Sequence, residues 1–453
     1  MAQARGERAM AGWDEDSLTM AVEAARHALA DRQTTPGAVY FGSTTHPFAD
    51  RQNAGVVAGA LDLPETVFTT DLGGSLKAGT AALLAALNHV AVQADDEALV
   101  VAGEHRRARS ASAQELMYGD AAAAFTLGSS GVIAEYLGGH SVSTDFVDHY
   151  RAAGQPFDYH WEERWLRDEA FQKWVPAAVA AALKKLDIEA GAVDQFLLAE
   201  PAPKLAAAVA KRVGIADAAV TDGLLGSVGH AGAAHAPLLL ANALEAAAPG
   251  QTLILVSFGQ GCDVLVFRTT SAIAQLAPRV AVKACLARRK EITDYAKFQA
   301  FNEVVTLEKG LRAEANPQTA LSTMYRNRRM LTGLVGGRCR KCGTAQFPPA
   351  LRCVNPGCHH AGEMDPHRFA DEPARIKTWA SDWLTYTPEP PAHYGMIEFD
   401  CGGRFMADIT DWDVGTVAVG EPVRMVFRVR GRDPQRGMIR YFWKAAPLAA
   451  KEA

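Results

Sequence analysis

The chain has 453 residues, 49% of them hydrophobic, which is ample for two or more packed domains. A net charge of −5 excludes a global field that would draw it to nucleic acid or anionic lipid, and no apolar run reaches the length of a membrane span. The first residues, MAQARGERAMAGWDED, lack the apolar stretch of a secretion signal, and seven cysteines with four in a metal pattern suit a reducing compartment, so a cytoplasmic protein is expected.

Asp16 or Ser17 can cap a helix beginning LTMAVEAARHAL, with Leu18, Val22, Ala25 and Leu29 along one face. The run AVYFG (38–42) reads as a strand. So do ALVVAG (98–103), AAAAFTL (121–127), QFLLAE (195–200), TLILVSFG (252–259) and DVLVFR (263–268). Near-continuous apolar runs of this kind suit strands covered on both faces. Residues 73–104 and 229–260 repeat one pattern: a small-residue turn, an Ala/Leu helix, a polar break and an apolar strand. A duplicated unit predicts a pseudo-twofold α/β body over residues 1–270, with ligand chemistry where the two helix N-termini meet. Two unrelated strand–helix units in one α/β domain are the alternative. Residues 271–330 are charged and helical and read as a linker, in which Phe298 and Phe301 pack at i,i+3.

Cys339, Cys342, Cys353 and Cys358 follow as C-x2-C-x10-C-x4-C. Two close pairs on tight turns let four thiolates converge on a tetrahedral ion, with zinc the default. Four cysteines leave no open position, so the zinc is structural and marks a ribbon over 331–366. Five short β segments follow within 367–453 and predict a small barrel of OB-fold type. Arg424, Arg428, Arg430 and Arg432 with Phe427 would suit nucleic acid. The domain also carries many acidic residues and no clean aromatic stripe, so no nucleic-acid partner is expected, and no membrane.

The ordered series GSTTHPFADRQNAGVVAGAL, GGSLKAGTAAL, MYGDAAAAFTLG, SVSTDFVDHYR and VSFGQG resembles the thiolase superfamily, most closely the HMG-CoA synthases of archaeal and bacterial type. The segment RCRKCGTAQFPPALRCVNPGC and the β-rich stretch after it resemble the zinc-ribbon and OB-fold partners of acyl-CoA-handling thiolases, here fused to the body. The resemblance implies an αβαβα body whose first strand is missing or truncated, coenzyme A as part of the substrate, and a homodimer or a second thiolase-like subunit as partner.

The chain departs from the family at three positions. Leu76, between Ser75 and Lys77, stands where a nucleophilic cysteine belongs. Thr44 and Thr45 occupy the region of a glutamate before His46-Pro47. Ala199, before Glu200-Pro201, replaces a histidine. The turn Gly229-His230 resembles that of degradative thiolases and of thiolase-like aldolases, where a histidine can donate to a thioester oxygen or move a proton. The expected catalytic residues are therefore His230, His46, Tyr118 and His149, and the expected coenzyme contacts are Lys204, Gly229 and Gly259. Weaker candidates are Asp145, Asp148 and Tyr150 beside His149, Glu200 as a base, and His105, Arg106, Arg107 and Arg109 as a phosphate contact. Cys262 reads as a buried small hydrophobe. Loss of the cysteine favours aldol or retro-aldol chemistry on a β-hydroxyacyl-CoA. A condensing acyltransferase using Ser75, and a non-catalytic acyl-CoA-binding subunit, are the alternatives.

Overall fold

The computed structural model describes residues 6–30, 34–93, 96–277, 279–314 and 318–448. Its contacts fall into two units. One holds the chain through Gly12, Asp16–Gly55 and Thr66–Val304; the other holds Trp13–Glu15, Val56–Glu65 and the residues from Val305 onward.

In the first unit, α1 (Ser17–Leu29) begins at Asp16, whose side chain accepts from the amides of Leu18 and Thr19 at 3.0 and 2.9 Å, while Thr19 reciprocates. β1 (Ala38–Gly42), β2 (Phe68–Leu72), α3 (Ala78–Val92), β3 (Ala98–Glu104) and β4 (Ala121–Leu127) follow, with α2 (Asn53–Ala60), whose residues from Val56 count with the second unit, between β1 and β2. The sheet order is β2-β1-β3-β4, with β1 parallel to both β2 and β3 and β4 antiparallel to β3.

The second half opens with β5 (Ala134–Ser143) and a small hairpin of β6 (His149–Tyr150) and β7 (Tyr159–His160). A helix then runs from α4 (Glu163–Trp165) through a π-helical stretch (Leu166–Trp174) into α5 (Val175–Lys185). β8 (Gln195–Leu198), α6 (Leu205–Val213), α7 (Gly232–Leu244), β9 (Thr252–Phe258) and β10 (Gly261–Thr269) complete it, in the order β5-β10-β9-β8. β8 and β9 are parallel and β10 returns antiparallel, the same arrangement as β1, β3 and β4. Among the described residues, β10 carries β5 on its outer side and nothing pairs with the outer side of β4.

Between the two sheets lie α3 and α7. Ala82, Leu83, Ala86 and Val90 of α3 and Leu239, Leu240 and Ala243 of α7 share one core with Val100, Leu197, Leu255 and Leu265. The helices cross at Gly79: a β-carbon there would lie 2.2 Å from the carbonyl oxygen of Ala233, so only glycine permits the approach. α1 covers the outer face of the first sheet, and α5 and α6 cover the second. The layers are therefore αβαβα, and the alanine-rich composition of the two central helices follows from their burial between sheets. QFLLAE yields the strand Gln195–Leu198; Ala199 still donates to Val256 O at 3.0 Å, and Glu200 turns to accept from amides that open α6.

The stretch after β10 forms short helices, α8 (Val282–Ala287) and α9 (Tyr295–Phe301). α9 belongs to the first unit: Tyr295 Oη donates to Glu115 at 2.9 Å, and Phe301 is buried.

The second unit contains α10 (Leu321–Arg326), α11 (Arg328–Thr332), and β11 (Val335–Cys339), β12 (Ala345–Gln346) and β13 (Met364–Arg368) in the order β12-β11-β13. A closed five-stranded barrel follows, formed by β14 (Ala374–Asp382), β15 (Ala392–Phe399), β16 (Arg404–Ile409), β17 (Pro422–Asp433) and β18 (Met438–Pro447) in the order β14-β15-β16-β18-β17. Trp443, fully buried, donates from Nε1 to Thr332 O at 2.7 Å. Two of the barrel arginines are engaged with carboxylates: Arg428 is buried and paired with Glu15 and Asp411, and Arg430 meets Asp408 at 2.7 Å. Lys444 meets Asp14 at 2.8 Å with both side chains buried. Among the described residues no helix is long and apolar enough to cross a membrane.

Candidate active site

β3 ends in Glu104, a fully buried carboxylate. It accepts from the Thr44 amide at 3.1 Å, from the Thr44 hydroxyl at 3.0 Å, from the Thr45 hydroxyl, and from the Ala233 amide at 2.9 Å. The last bond lies in the first turn of α7, so a carboxylate from the first half satisfies and charge-matches the helix that begins the second half's repeat. Thr44 and Thr45 thus hold a carboxylate delivered from the end of β3.

Two residues on, Arg106 is buried. Its guanidinium lies 3.8 Å from the centre of the Tyr118 ring and donates to Tyr118 Oη at 2.6 Å and to Asp158 at 2.6 and 3.1 Å. Tyr118 donates to Asp158 at 2.9 Å and also meets His160 Nε2. Arg151 holds the other Asp158 oxygen at 2.8 Å and reaches the Thr44 carbonyl. Burial opposes the Asp158 charge, yet the two arginines keep its carboxyl below the usual range. Burial also pushes the Tyr118 phenol far up, so it stays protonated and acts as a donor.

His230 follows Gly229, whose φ of +88° turns the chain into α7. Its backbone amide donates to Met117 O at 2.7 Å, which fixes it beside Tyr118. Its ring stacks on His235 at 4.9 Å between centres. Burial first, then the cationic potential of His235, Arg106, His149 and His160, holds the His230 imidazole well below its ordinary pKa. The β6–β7 hairpin supplies the remaining pair. His149 and His160 are cross-strand partners, stacked at 5.3 Å, and His149 Nδ1 meets Asp148 at 2.9 Å. Burial and Arg106 push His160 down to about 4.

The structure therefore brings His230, Tyr118 and His149 together. His46 lies at the edge of this group. Its ring stands edge-on to Phe41 at 4.7 Å, its Nε2 is buried without a hydrogen-bond partner, and burial lowers its pKa against the pull of Asp71 and Glu104. Lys204 lies outside it, exposed at the start of α6. Gly229 and Gly259 are enclosed in the backbone. Ser75 Oγ donates to Gly259 O at 2.6 Å, and a β-carbon on Gly259 would strike the turn at 75–77. Leu76 sits in that turn with no chemistry to offer. Lys77 and Thr80 bind the buried Asp263 at 3.1 and 2.8 Å, tying α3 to β10.

Several weaker candidates resolve as scaffold. Glu200 accepts from the amides opening α6, including Ala206 at 2.7 Å, and is a helix cap. His105 pairs with Asp120 at 3.0 Å. Arg107 meets Glu303, Arg109 lies 5.0 Å over the Phe157 ring, and Asp145 and Tyr150 face solvent. Cys262 is fully buried, its thiol pushed up to about 12 by burial. Sequence reasoning missed Glu104, Arg151, Asp158, His160 and His235, and it placed Arg106 on a basic surface run. One signal was present: His149-Tyr150 and Tyr159-His160 read as mirror images around a turn, the signature of a hairpin that pairs like residues.

In the ribbon, Cys339 and Cys358 stand 3.9 Å apart between sulfurs, and Cys342 and Cys353 stand 3.5 Å apart. Sulfurs on a tetrahedral ion at about 2.3 Å are separated by about 3.8 Å, so the four cysteines fit zinc.

Residues 183–267 match the family model of 3-oxoacyl-[acyl-carrier-protein] synthase III, C-terminal part. The hydroxymethylglutaryl-CoA synthase of Methanocaldococcus jannaschii is 31% identical over 307 residues, 66% of this chain and 89% of that protein. The chain belongs to the thiolase superfamily, with a hydroxymethylglutaryl-CoA synthase-like body. Residues 333–365 match the rubredoxin-like zinc ribbon domain of ChsH2, and residues 379–428 match its C-terminal OB-fold domain. Among solved structures, an HMG-CoA synthase complexed with CoA aligns with a TM-score of 0.55 at 16% identity, covering 68% of this chain and 84% of its own. Xanthomonas campestris OleA aligns with a TM-score of 0.52 at 22% identity, covering 58% and 83%. Those two likenesses concern the fold.

Proposed function

We propose that this thiolase-superfamily chain acts on a carbon–carbon bond of a CoA thioester without an acyl-enzyme, interconverting a β-hydroxyacyl-CoA with a carbonyl compound and a shorter acyl-CoA. The observation that carries this reading is the coincidence of Leu76 at the turn into α3 with a buried histidine group at the turn into α7. A leucine cannot take an acyl group. Retro-aldol cleavage needs only a base for the β-hydroxyl, a donor for the enolate oxygen and a proton for the α-carbon.

His149 suits the base. Asp148 on its Nδ1 fixes the tautomer, and the other ring nitrogen receives the hydroxyl proton. The carbon–carbon bonding pair then becomes the thioester enolate as the carbonyl forms. Neutral His230 donates to the enolate oxygen, the imidazolium of His149 gives the hydroxyl proton back to the α-carbon, and Tyr118, held protonated by burial and oriented by Arg106 and Asp158, stays a hydrogen-bond donor throughout, so that no net proton is gained or lost. Lys204, exposed at the start of α6, is assigned to the coenzyme phosphates.

The test is incubation of the full chain with β-hydroxyacyl-CoA esters, following the released ketone or aldehyde and the shortened thioester. Cleavage that persists undiminished in His230→Ala removes the central assignment. Identity of 31% to hydroxymethylglutaryl-CoA synthases favours a second reading, a condensing acyltransferase using Ser75. Against it, the Ser75 hydroxyl donates to a backbone carbonyl instead of an imidazole. A covalent acyl adduct found by intact mass would establish the second reading and overturn the first.

A further inference from the structure

Outside the ribbon and the α/β body, one cluster of unlike donors has no role in the reading above. His367 on β13, Glu372 in the turn before β14, and Cys401 in the turn between β15 and β16 point at one another. His367 Nε2 lies 3.0 Å from Glu372 Oε1 and 3.6 Å from Cys401 Sγ. All three are half-buried.

We propose that His367, Glu372 and Cys401 bind a second divalent transition-metal ion, zinc in the first instance. The spacing is what an ion would impose. A tetrahedral centre with zinc–nitrogen about 2.05 Å and zinc–sulfur about 2.3 Å separates those donors by about 3.6 Å, the distance found for His367 and Cys401. The imidazole and Glu372 need open by only about 0.3 to 0.4 Å to match. One nitrogen, one oxygen and one sulfur are donors zinc accepts together. Three protein ligands leave a fourth position for water, unlike the closed set of four cysteines.

The surroundings decide the charge balance. Arg338 lies 3.2 and 3.3 Å from the two nitrogens of the His367 ring. Its charge opposes protonation of that ring and keeps it available as a ligand. The same charge opposes a bound cation. Two anionic ligands answer it: the Glu372 carboxylate, and the Cys401 thiolate that forms when the metal displaces the thiol proton to solvent. Because a ligating cysteine must be a thiolate, the site releases a proton as it fills. Filled, it would pin β13 to the turns before β14 and after β15 by three bonds from three separate segments.

The experiment uses the full chain, saturated with zinc, desalted and counted by elemental analysis against protein. Wild type should retain one equivalent more than the ribbon's own. Cys401→Ala and His367→Ala should each lose that extra equivalent and keep the first. Substitution by cobalt gives an independent readout: Cys401→Ala should lose part of the thiolate-to-cobalt charge-transfer absorption while its circular dichroism stays that of wild type. A wild-type chain that retains a single equivalent overturns the proposal. So does a Cys401→Ala chain that retains as much zinc and absorbs as strongly as wild type.

Discussion

The turns into α3 and α7 are the same device built twice, and they have been put to different uses. Each feeds a small-residue turn into an alanine-rich helix buried between the two sheets, and the helices meet where Gly79 passes Ala233. The first turn carries Ser75, Leu76 and Lys77, whose bonds go to Gly259 and Asp263 and hold the halves together. The second carries His230 and is ringed by His235, His149, His160, Tyr118 and Arg106. Duplication supplies two helix N-termini. It does not require both to do chemistry, and here the polar groups have gathered at one.

The largest test of that asymmetry is a pair of variants. His230→Ala should reduce carbon–carbon cleavage by about 10²- to 10³-fold, the range for removing a donor to a developing oxyanion, with little change in unfolding midpoint. Leu76→Ala should leave cleavage within a few-fold. A large loss in Leu76→Ala with an unchanged fold would return the chemistry to the first turn. Next, Lys77→Met should cost about 3 kcal/mol, because Asp263 stays buried with Thr80 as its remaining side-chain partner. Denaturant unfolding of the full chain measures that cost, and a neutral result would mean that the first turn is not the brace its contacts indicate. Tyr118→Phe comes third. It leaves Arg106 and Asp158 paired and removes one shared hydroxyl, at about 1 to 3 kcal/mol. Cleavage by this variant should fall while its Michaelis constant stays near that of wild type.

Much of this was legible before any coordinates. Runs such as AVYFG and ALVVAG fall on β1 and β3, because strands buried on both faces leave continuous apolar signatures. The duplicated turns, the cysteine quartet and the five barrel strands were readable for similar local reasons. The site was readable only in part. His230 stood out because its turn had a counterpart to compare. Asp158, His160 and Arg151 did not, because their meaning depends on a two-residue-per-strand hairpin that folds back on itself. Glu104 is the sharper case. It ends an apolar strand that gives no hint of polar partners, and its role rests on hydroxyls and an amide brought from residues 44, 45 and 233. β5 was missed as well: AEYLGGHSVS is half-exposed and interrupted by glycines, so its period is weak.

The remaining prediction separates the two turns by acidity. His160 and His235 are held at about 4 in the fold against an ordinary value near 6.5, through burial first. The folded chain therefore carries these rings neutral between about pH 4 and 6.5, while the unfolded chain binds the extra protons. Stability from this pair is complete above about 6.5 and falls as the medium is acidified through that window, by up to about 1.4 kcal/mol per pH unit for each ring. Two groups pull the other way. Glu200, raised by burial, takes up its proton in the folded state above the ordinary carboxyl value and offsets part of the loss. His105 is raised: burial opposes its charge but Asp120 outweighs it, so its contribution is present below its ordinary value and fades as pH rises through the folded one. His235→Ala, which removes a buried ring whose Nδ1 accepts from the Ala231 amide, should flatten the acid limb of a denaturant-unfolding series taken from pH 7 to 4.5. A variant that keeps the full acid slope would show that the protons are taken up elsewhere, and that the histidines at α7 are less withdrawn from solvent than their packing requires.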